Sequence, residues 1–262
     1  MPDPKPVVLI TGASAGIGAA LANVFADRGH TLVLAARRAP QLKALADSIE
    51  ERGHARPHVV IIDLGEPDAA ARIEDELRER GLEPQFLVNN AGFGLMGLAA
   101  SLDRQQQLAM IDLNVRVLTE LSLRFVPSLT RHRGGILNVA SVASFMPGPG
   151  MAVYHATKAY VLSFSEALHR ELGSQGIRVT ALCPGPVETE FMAVAGIPDG
   201  TFPNFLVRSA ERVAQEGYDG LMRGRRVVVP GSANKAAALL ARLMPRRLVS
   251  WMLRTVARSN LK

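Results

Sequence analysis

The 262-residue chain reads as an α/β protein: a doubly wound parallel sheet of about seven strands with helices on both faces. Two observations lead there. Short apolar runs alternate with longer stretches of helical spacing, the rhythm of repeated βαβ units. The runs are continuously apolar rather than alternating, as strands covered on both faces must be. Composition agrees, since 48% hydrophobic and 21% charged residues suit a globular core and exclude a disordered or collagen-like chain. At this length the core needs no disulfide or metal staple.

The elements follow in order. Val7–Ile10 is a buried strand, and Gly12–Gly18 a glycine-rich turn. Ala19–Arg28 is helical and stops at Gly29; Thr31–Ala35 is the second strand. Gln41–Arg52 is a helix ending at Gly53, and Val59–Ile62 a third strand closed by Asp63. Ala69–Arg80 is a helix ending at Gly81, and Phe86–Val88 a fourth strand leading into Asn89-Asn90-Ala91-Gly92. Arg104–Thr130 keeps helical periodicity with a break near Pro127; Gly135–Val139 is the fifth strand, with Ser141 just beyond it. Val153–Leu172 is a long helix stopped by Gly173. Arg178–Leu182 is the sixth strand, ended by Pro184-Gly185, and Arg226–Val229 the seventh. The segment Pro186–Phe205, with Pro198, Gly200 and Pro203, is irregular and reads as a lid or substrate loop. No linker divides the chain, so residues 1–230 are expected to form one domain and 231–262 a basic extension packed on it or on a partner.

The turn Thr11-Gly12-Ala13-Ser14-Ala15-Gly16-Ile17-Gly18 joins the first strand to the first helix. A helix start offers unpaired N–H groups and partial positive charge, and glycines let a ligand approach the backbone closely; together these suit a pyrophosphate. The spacing G-x-x-x-G-x-G lacks the Gly-Lys-Ser/Thr ending of a P-loop, which argues against an ATPase. The second strand ends in Ala35-Ala36-Arg37-Arg38, with no acidic residue to take a ribose 2′-hydroxyl. Arg37 and Arg38 instead suit the 2′-phosphate of NADP.

Tyr154 and Lys158 stand four apart on a predicted helix and share a face. A nearby ammonium favours the phenolate, so Lys158 is expected to lower the Tyr154 pKa and let it exchange a proton with a substrate oxygen. A hydroxyl at Ser141, beyond the fifth strand, is placed to hydrogen-bond the same oxygen. Tyr-x-x-x-Lys alone also describes an ordinary polar helix pair. The ordered set is far more specific: Gly12/Gly16/Gly18, Asn89-Asn90-Ala91-Gly92, Asn114, Ser141, Tyr154/Lys158 and Pro184-Gly185, each at an element's end.

This set resembles the short-chain dehydrogenase/reductase family, over about Pro6 to Pro230. The resemblance implies a Rossmann-like fold with the cofactor at the carboxyl ends of the strands. It implies Tyr154 as acid/base, Lys158 on the nicotinamide ribose, Ser141 on the substrate carbonyl, and Asn114 holding a water in a proton relay. It assigns Asn89 to the adenosine side and to bracing the central strands, Asp63 to adenine, and Leu64 to a backbone contact. Gly12, Ser14, Gly16, Ile17, Gly18, Ala91 and Gly92 would contact the cofactor, and Pro184, Gly185, Val187 and Thr189 would line the nicotinamide. Many NADP-preferring members carry a basic residue where Ala15 stands, which leaves the phosphate to Arg37, Arg38 and Ser14. The implied activity is NADPH-dependent reduction of a carbonyl, with NAD as the lesser cofactor. The alternatives are an NAD-linked alcohol dehydrogenase and a non-catalytic dinucleotide-sensing scaffold. The family often forms dimers or tetramers, so a homo-oligomer is expected.

Phe93, Leu95, Met96, Phe145, Met146, Phe191, Phe202 and Phe205 fall in segments that surround substrate in this family, and point either to an apolar ketone or aldehyde or to ordinary core packing. Cys183, the only cysteine, excludes an intrachain disulfide and a Cys-rich zinc site and reads as a small buried hydrophobe. His155 and His169 have no metal-ligand company. Glu188 and Glu190 read as solvated loop charges.

Net charge is +6, but ten of the 30 Lys and Arg and none of the 24 acidic residues lie in Leu221–Lys262, so the first 220 residues carry −4. That asymmetry argues against a nucleic-acid protein. Ala236–Leu243 is a short predicted helix. Leu248, Trp251, Met252 and Val256 against Arg247, Arg254 and Arg258 describe a basic amphipathic helix suited to packing on the domain or a sister subunit, or to a peripheral membrane contact. No apolar stretch spans a bilayer, and the N-terminus lacks a signal-peptide pattern. The expected compartment is the cytoplasm.

Overall fold

The apolar runs assemble into a wholly parallel sheet. The computed structural model describes residues 3–243. Its strands are β1 (Lys5–Thr11), β2 (Leu32–Ala36), β3 (His58–Ile61), β4 (Leu82–Asn89), β5 (Gly135–Val139), β6 (Arg178–Leu182) and β7 (Val227–Val228). They lie in the order β3-β2-β1-β4-β5-β6-β7. The winding direction reverses between β1 and β4, which opens a crevice at the carboxyl ends of those strands.

Side chains alternate across each strand, and β1 shows how that builds two cores. Val8 and Ile10 face one way, packing with Leu21 and Phe25 of α1 (Gly16–Asp27), Leu42 and Ile49 of α2 (Ala39–Glu51), and Val213 and Leu221 of α9 (Ala210–Met222). Val7 and Leu9 face the other way. There they meet Ile73 and Leu77 of α3 (Ala69–Glu79), Leu121 of α5 (Leu118–Arg124), Leu129 of α6 (Val126–Arg131), and Leu168 of α7 (Ala152–Glu171). Both faces of the sheet are therefore closed, which is why the strands read as unbroken apolar runs.

Several differences from the sequence reading bear on the site. The long periodic stretch resolves into α4 (Arg104–Ile111), a π-helical segment Asp112–Val117, α5 and α6, with Pro127 in the first turn of α6. The irregular segment contains a short helix, α8 (Glu190–Val194). Helix α9 was not foreseen. The seventh strand is shorter than read, and α10 (Ser232–Leu243) begins earlier than Ala236. α10 buries Asn234 and Ala238 and packs beside a 3₁₀ turn at Val142–Phe145. The basic amphipathic stretch from Arg247 to Arg258 lies outside the described residues. No described helix is long and apolar enough to cross a membrane.

Candidate active site

The glycine turn is held shut by Asn90. Its Nδ2 donates to the carbonyls of Thr11 and Gly12, each at 3.0 Å. The Thr11 hydroxyl accepts from the N–H groups of Asn90 and Ala91 at 3.0 and 3.1 Å. Gly12 and Gly16 have φ of +64° and +55°, a region that strains other residues. Gly18 is required for contact rather than torsion: a Cβ there would stand 2.4 Å from the Gly12 carbonyl oxygen and 2.5 Å from Asn90 Nδ2. Ala15 is the N-cap of α1, no side chain caps the helix, and no acidic residue sits in its first turn. Its leading N–H groups are thus free of side-chain partners, the condition an anion needs. Ile17 packs against the core below the turn.

Beyond β2, Arg38 folds back over this turn. Its Nε donates to Ser14 Oγ at 3.2 Å. Arg37 pairs with Asp63 at 3.6 Å, both side chains exposed. Asp63 Oδ1 also accepts from the Gly65 N–H at 2.9 Å, while Leu64 is buried beneath it. Asn89 lies deeper. Its Nδ2 donates to Ser122 Oγ and Asn138 Oδ1, both at 2.9 Å, and Asn138 in turn donates to Ser165 Oγ at 2.9 Å. This buried chain ties β4 to β5, α5 and α7.

Four side chains that the sequence separates by up to 44 residues meet above β4 and β5. Asn114 sits in the π-helical segment, a local widening that recurs at functional sites. Its amide exchanges hydrogen bonds with the Phe93 backbone, accepting at 3.1 Å and donating at 2.9 Å, and donates to Thr157 Oγ1 at 3.1 Å. Lys158 Nζ donates to the Val139 carbonyl at 2.8 Å and lies 5.9 Å from the centre of the Tyr154 ring. Gly92 marks where these groups converge, since a Cβ on it would stand 2.8 Å from Asn114 Oδ1 and 3.5 Å from Lys158 Nζ. Ser141 Oγ accepts from the Ala143 N–H at 3.1 Å, and its hydroxyl faces Tyr154.

Burial governs the protonation of this cluster. Tyr154 is pushed up to about 12 by desolvation, which outweighs the downward pull of the Ser141 hydroxyl. Desolvation also pushes Lys158 down to about 8. In the protein by itself the Tyr154 shift is thus upward, against the net fall expected from Lys158. Burial destabilises both charged forms.

The Pro184–Val187 stretch is closed by a residue the sequence reading did not single out. Asn234, at the start of α10, lies where a Cβ on Gly185 would be, 2.4 Å away, and donates to the carbonyls of Leu206 and Pro230 at 3.1 Å each. Val187 bridges to Arg208. Thr189 lies against Gly16, its Cγ2 3.1 Å from a Cβ built there. Glu190 is not merely a solvated loop charge: its carboxylate pairs with Arg38 at 2.8 Å. Phe191 packs on the Tyr154 ring with centroids 5.5 Å apart. Phe93, Leu95, Met151 and Val153 complete an apolar wall around that ring. Phe145 belongs elsewhere, to the packing of Val161 and Leu162, and Phe205 is exposed. His155 and His169 bond the Met146 and Val179 carbonyls through Nδ1, and no metal-binding cluster occurs among the described residues. Cys183 is buried, which pushes its thiol up to about 12.

Comparison with known proteins identifies the family and the fold. The short chain dehydrogenase family model matches residues 6–197. A sulfoacetaldehyde reductase of Chromohalobacter salexigens is 39% identical over 213 residues, covering 80% of this chain and 84% of that protein. Among solved structures, a short-chain dehydrogenase from Sphingobium yanoikuyae in complex with NADPH superposes with a TM-score of 0.80 at 35% identity, covering 98% of this chain and 96% of that one. The bulky-bulky ketone specific alcohol dehydrogenase from Comamonas testosteroni gives 0.75 at 31% identity, covering 98% and 95%.

Proposed function

The chain belongs to the short-chain dehydrogenase family, oxidoreductases that use nicotinamide dinucleotides, and from that premise we propose that it reduces an apolar ketone or aldehyde with NADPH. The observation that carries the reading is the convergence of Asn114, Lys158 and the Gly92 backbone beside Tyr154 and Ser141. A dinucleotide scaffold without chemistry has no use for a buried lysine held against Val139 next to a buried tyrosine.

The residues suit the cofactor. The uncapped start of α1 meets the pyrophosphate, and the glycines leave room that a Cβ would fill. Arg38, held at Ser14, meets the 2′-phosphate with Arg37 beside it. The NADPH complex of the Sphingobium relative supports the same choice. Val187 and Thr189, at the entrance to α8, line the nicotinamide side.

The bound nicotinamide supplies the hydride that reduces the carbonyl carbon. The protein supplies the proton and the geometry. Tyr154 stays protonated at neutral pH and gives its phenolic proton to the carbonyl oxygen as negative charge develops there. The Ser141 hydroxyl donates a hydrogen bond to that same oxygen. Lys158 stabilises the resulting phenolate, and Asn114 joins the path by which a proton returns to it from solvent. The wall of Phe93, Leu95, Met151, Val153 and Phe191 favours an apolar substituent on the carbonyl, in keeping with the ketone specificity named for the Comamonas relative.

The test is consumption of NADPH and of NADH with a panel of aryl ketones, bulky aliphatic ketones and small charged aldehydes. Turnover of the apolar members with NADPH is expected. Turnover confined to charged aldehydes, or to alcohols with NAD, overturns the reading.

A further inference from the structure

Three consecutive residues at the head of α8 touch three different parts of the site. Thr189 lies on Gly16 of the phosphate turn, Glu190 pairs with Arg38, and Phe191 packs on Tyr154. The far end of α8 is pinned separately, the Ala195 carbonyl accepting from the Met96 N–H at 2.8 Å. Arg38 thus has two occupations. Nε serves Ser14 at 3.2 Å, while the NH1 nitrogen serves the Glu190 carboxylate at 2.8 Å.

The pair is open to water, with 41% of the Arg38 side chain and 63% of the Glu190 side chain exposed. Such pairs are weak and exchange readily for a better anion. A phosphate monoester carries up to two charges and three acceptor oxygens, and binds a guanidinium more strongly than one exposed carboxylate does. A phosphate held at Arg38 also repels a carboxylate left beside it. The unphosphorylated cofactor brings no group that contests this nitrogen.

We propose that Glu190 is an internal competitor for the 2′-phosphate of NADP(H) at Arg38, so that arrival of the phosphate releases the head of α8. The proposal rests on the assignment of the 2′-phosphate to Arg38. Glu190 lowers affinity for the phosphorylated cofactor alone and holds α8 over the phosphate turn until that cofactor binds. Because linkage is reciprocal, whatever loosens α8 also favours NADPH.

Dissociation constants of NADPH and NADH, read by cofactor fluorescence at fixed ionic strength, test this in the parent, E190Q, R38A and the double variant. E190Q is expected to bind NADPH about threefold to fivefold more tightly, the range of an exposed ion pair, and NADH unchanged. R38A is expected to weaken NADPH and to abolish the effect of E190Q. NADPH affinity unchanged or weakened in E190Q, with R38A still costing NADPH binding, overturns the competitor and leaves the cofactor assignment standing. NADPH affinity unchanged in R38A overturns the assignment itself. Adenosine 2′,5′-bisphosphate, which carries the phosphate but no nicotinamide, should raise amide hydrogen exchange across residues 190–197 relative to adenosine 5′-monophosphate. Equal exchange with the two probes overturns the release of α8.

Discussion

Lys158 reaches from the middle of α7 to the last carbonyl of β5, its Nζ donating to Val139 at 2.8 Å. A charged amine is thereby buried at the carboxyl end of an interior strand and loses its hydration, and its pKa falls to about 8.

That burial has a measurable cost. The folded pKa lies below the ordinary 10.5, so between about 8 and 10.5 the unfolded chain holds a proton that the folded one has released. Stability therefore rises with pH through this window, and below about 8 the penalty, on the order of 3 kcal/mol, is present in full. Above pH 10 Tyr154 acts in the opposite sense, because its folded pKa is raised and stability falls as the unfolded tyrosine ionises. Lys158→Met is expected to melt higher than the parent at pH 7, with the gap narrowing by pH 9.5, while losing turnover. Parallel melting curves at both pH values contradict this.

Tyr154→Phe keeps the ring that packs on Phe191 and removes only the proton donor. Turnover should fall by about 10²- to 10⁴-fold, with NADPH affinity and melting temperature near the parent values. Full activity would remove Tyr154 from the mechanism.

Asn138 is fully buried and sits between Asn89 and Ser165. Asn138→Ala removes one hydrogen bond from each partner, leaving Asn89 with Ser122 and Ser165 with the Val161 carbonyl, which should cost about 1–3 kcal/mol in urea unfolding. The pH–rate profile at low temperature should not move, since no reacting group is touched. A shifted profile would mean that the network tunes Tyr154 or Lys158.

Gly18→Ala forces a methyl group against the Gly12 carbonyl and Asn90. Overpacking of this kind costs about 1–3 kcal/mol. NADPH and NADH should weaken together, in contrast to the selective loss expected for R38A. A selective loss in the Gly18 variant would argue that the turn does not hold the shared pyrophosphate.

The sheet was legible because its inner strands are buried on both faces and need no partner to be recognised. Helix α9 was not, for a physical reason. It contains Gly217 and Gly220, where Cβ atoms would fall 2.8 Å from Leu182 and 2.2 Å from Val228, so they are glycine to let the helix lie on β6 and β7. The π-helical segment around Asn114 leaves no trace in apolar spacing. Tyr154, Lys158, Ser141 and Asn114 were found from their order along the chain, but the direction of the Tyr154 shift depends on burial, which order does not encode. Asn90 was visible only as part of a motif, and Asn234 not at all. The Arg38–Glu190 pair joins residues 152 positions apart, and nothing local to either announces the other.

The position of β1 bears on how the molecule comes into being. Of the sheet's strands β1 is made before the others, and it ends up inside the sheet, with β2 on one side and β4 on the other. The β2 neighbour follows soon after, but Leu82–Asn89 must be synthesised before the other edge of β1 is covered. Until then the growing chain exposes Val7, Leu9 and their neighbours along an unpaired edge. Long-range parallel pairing of this kind is slow to form and prone to aggregate. Yield on expression should accordingly depend on translation rate and chaperone supply more than on the stability of the finished fold.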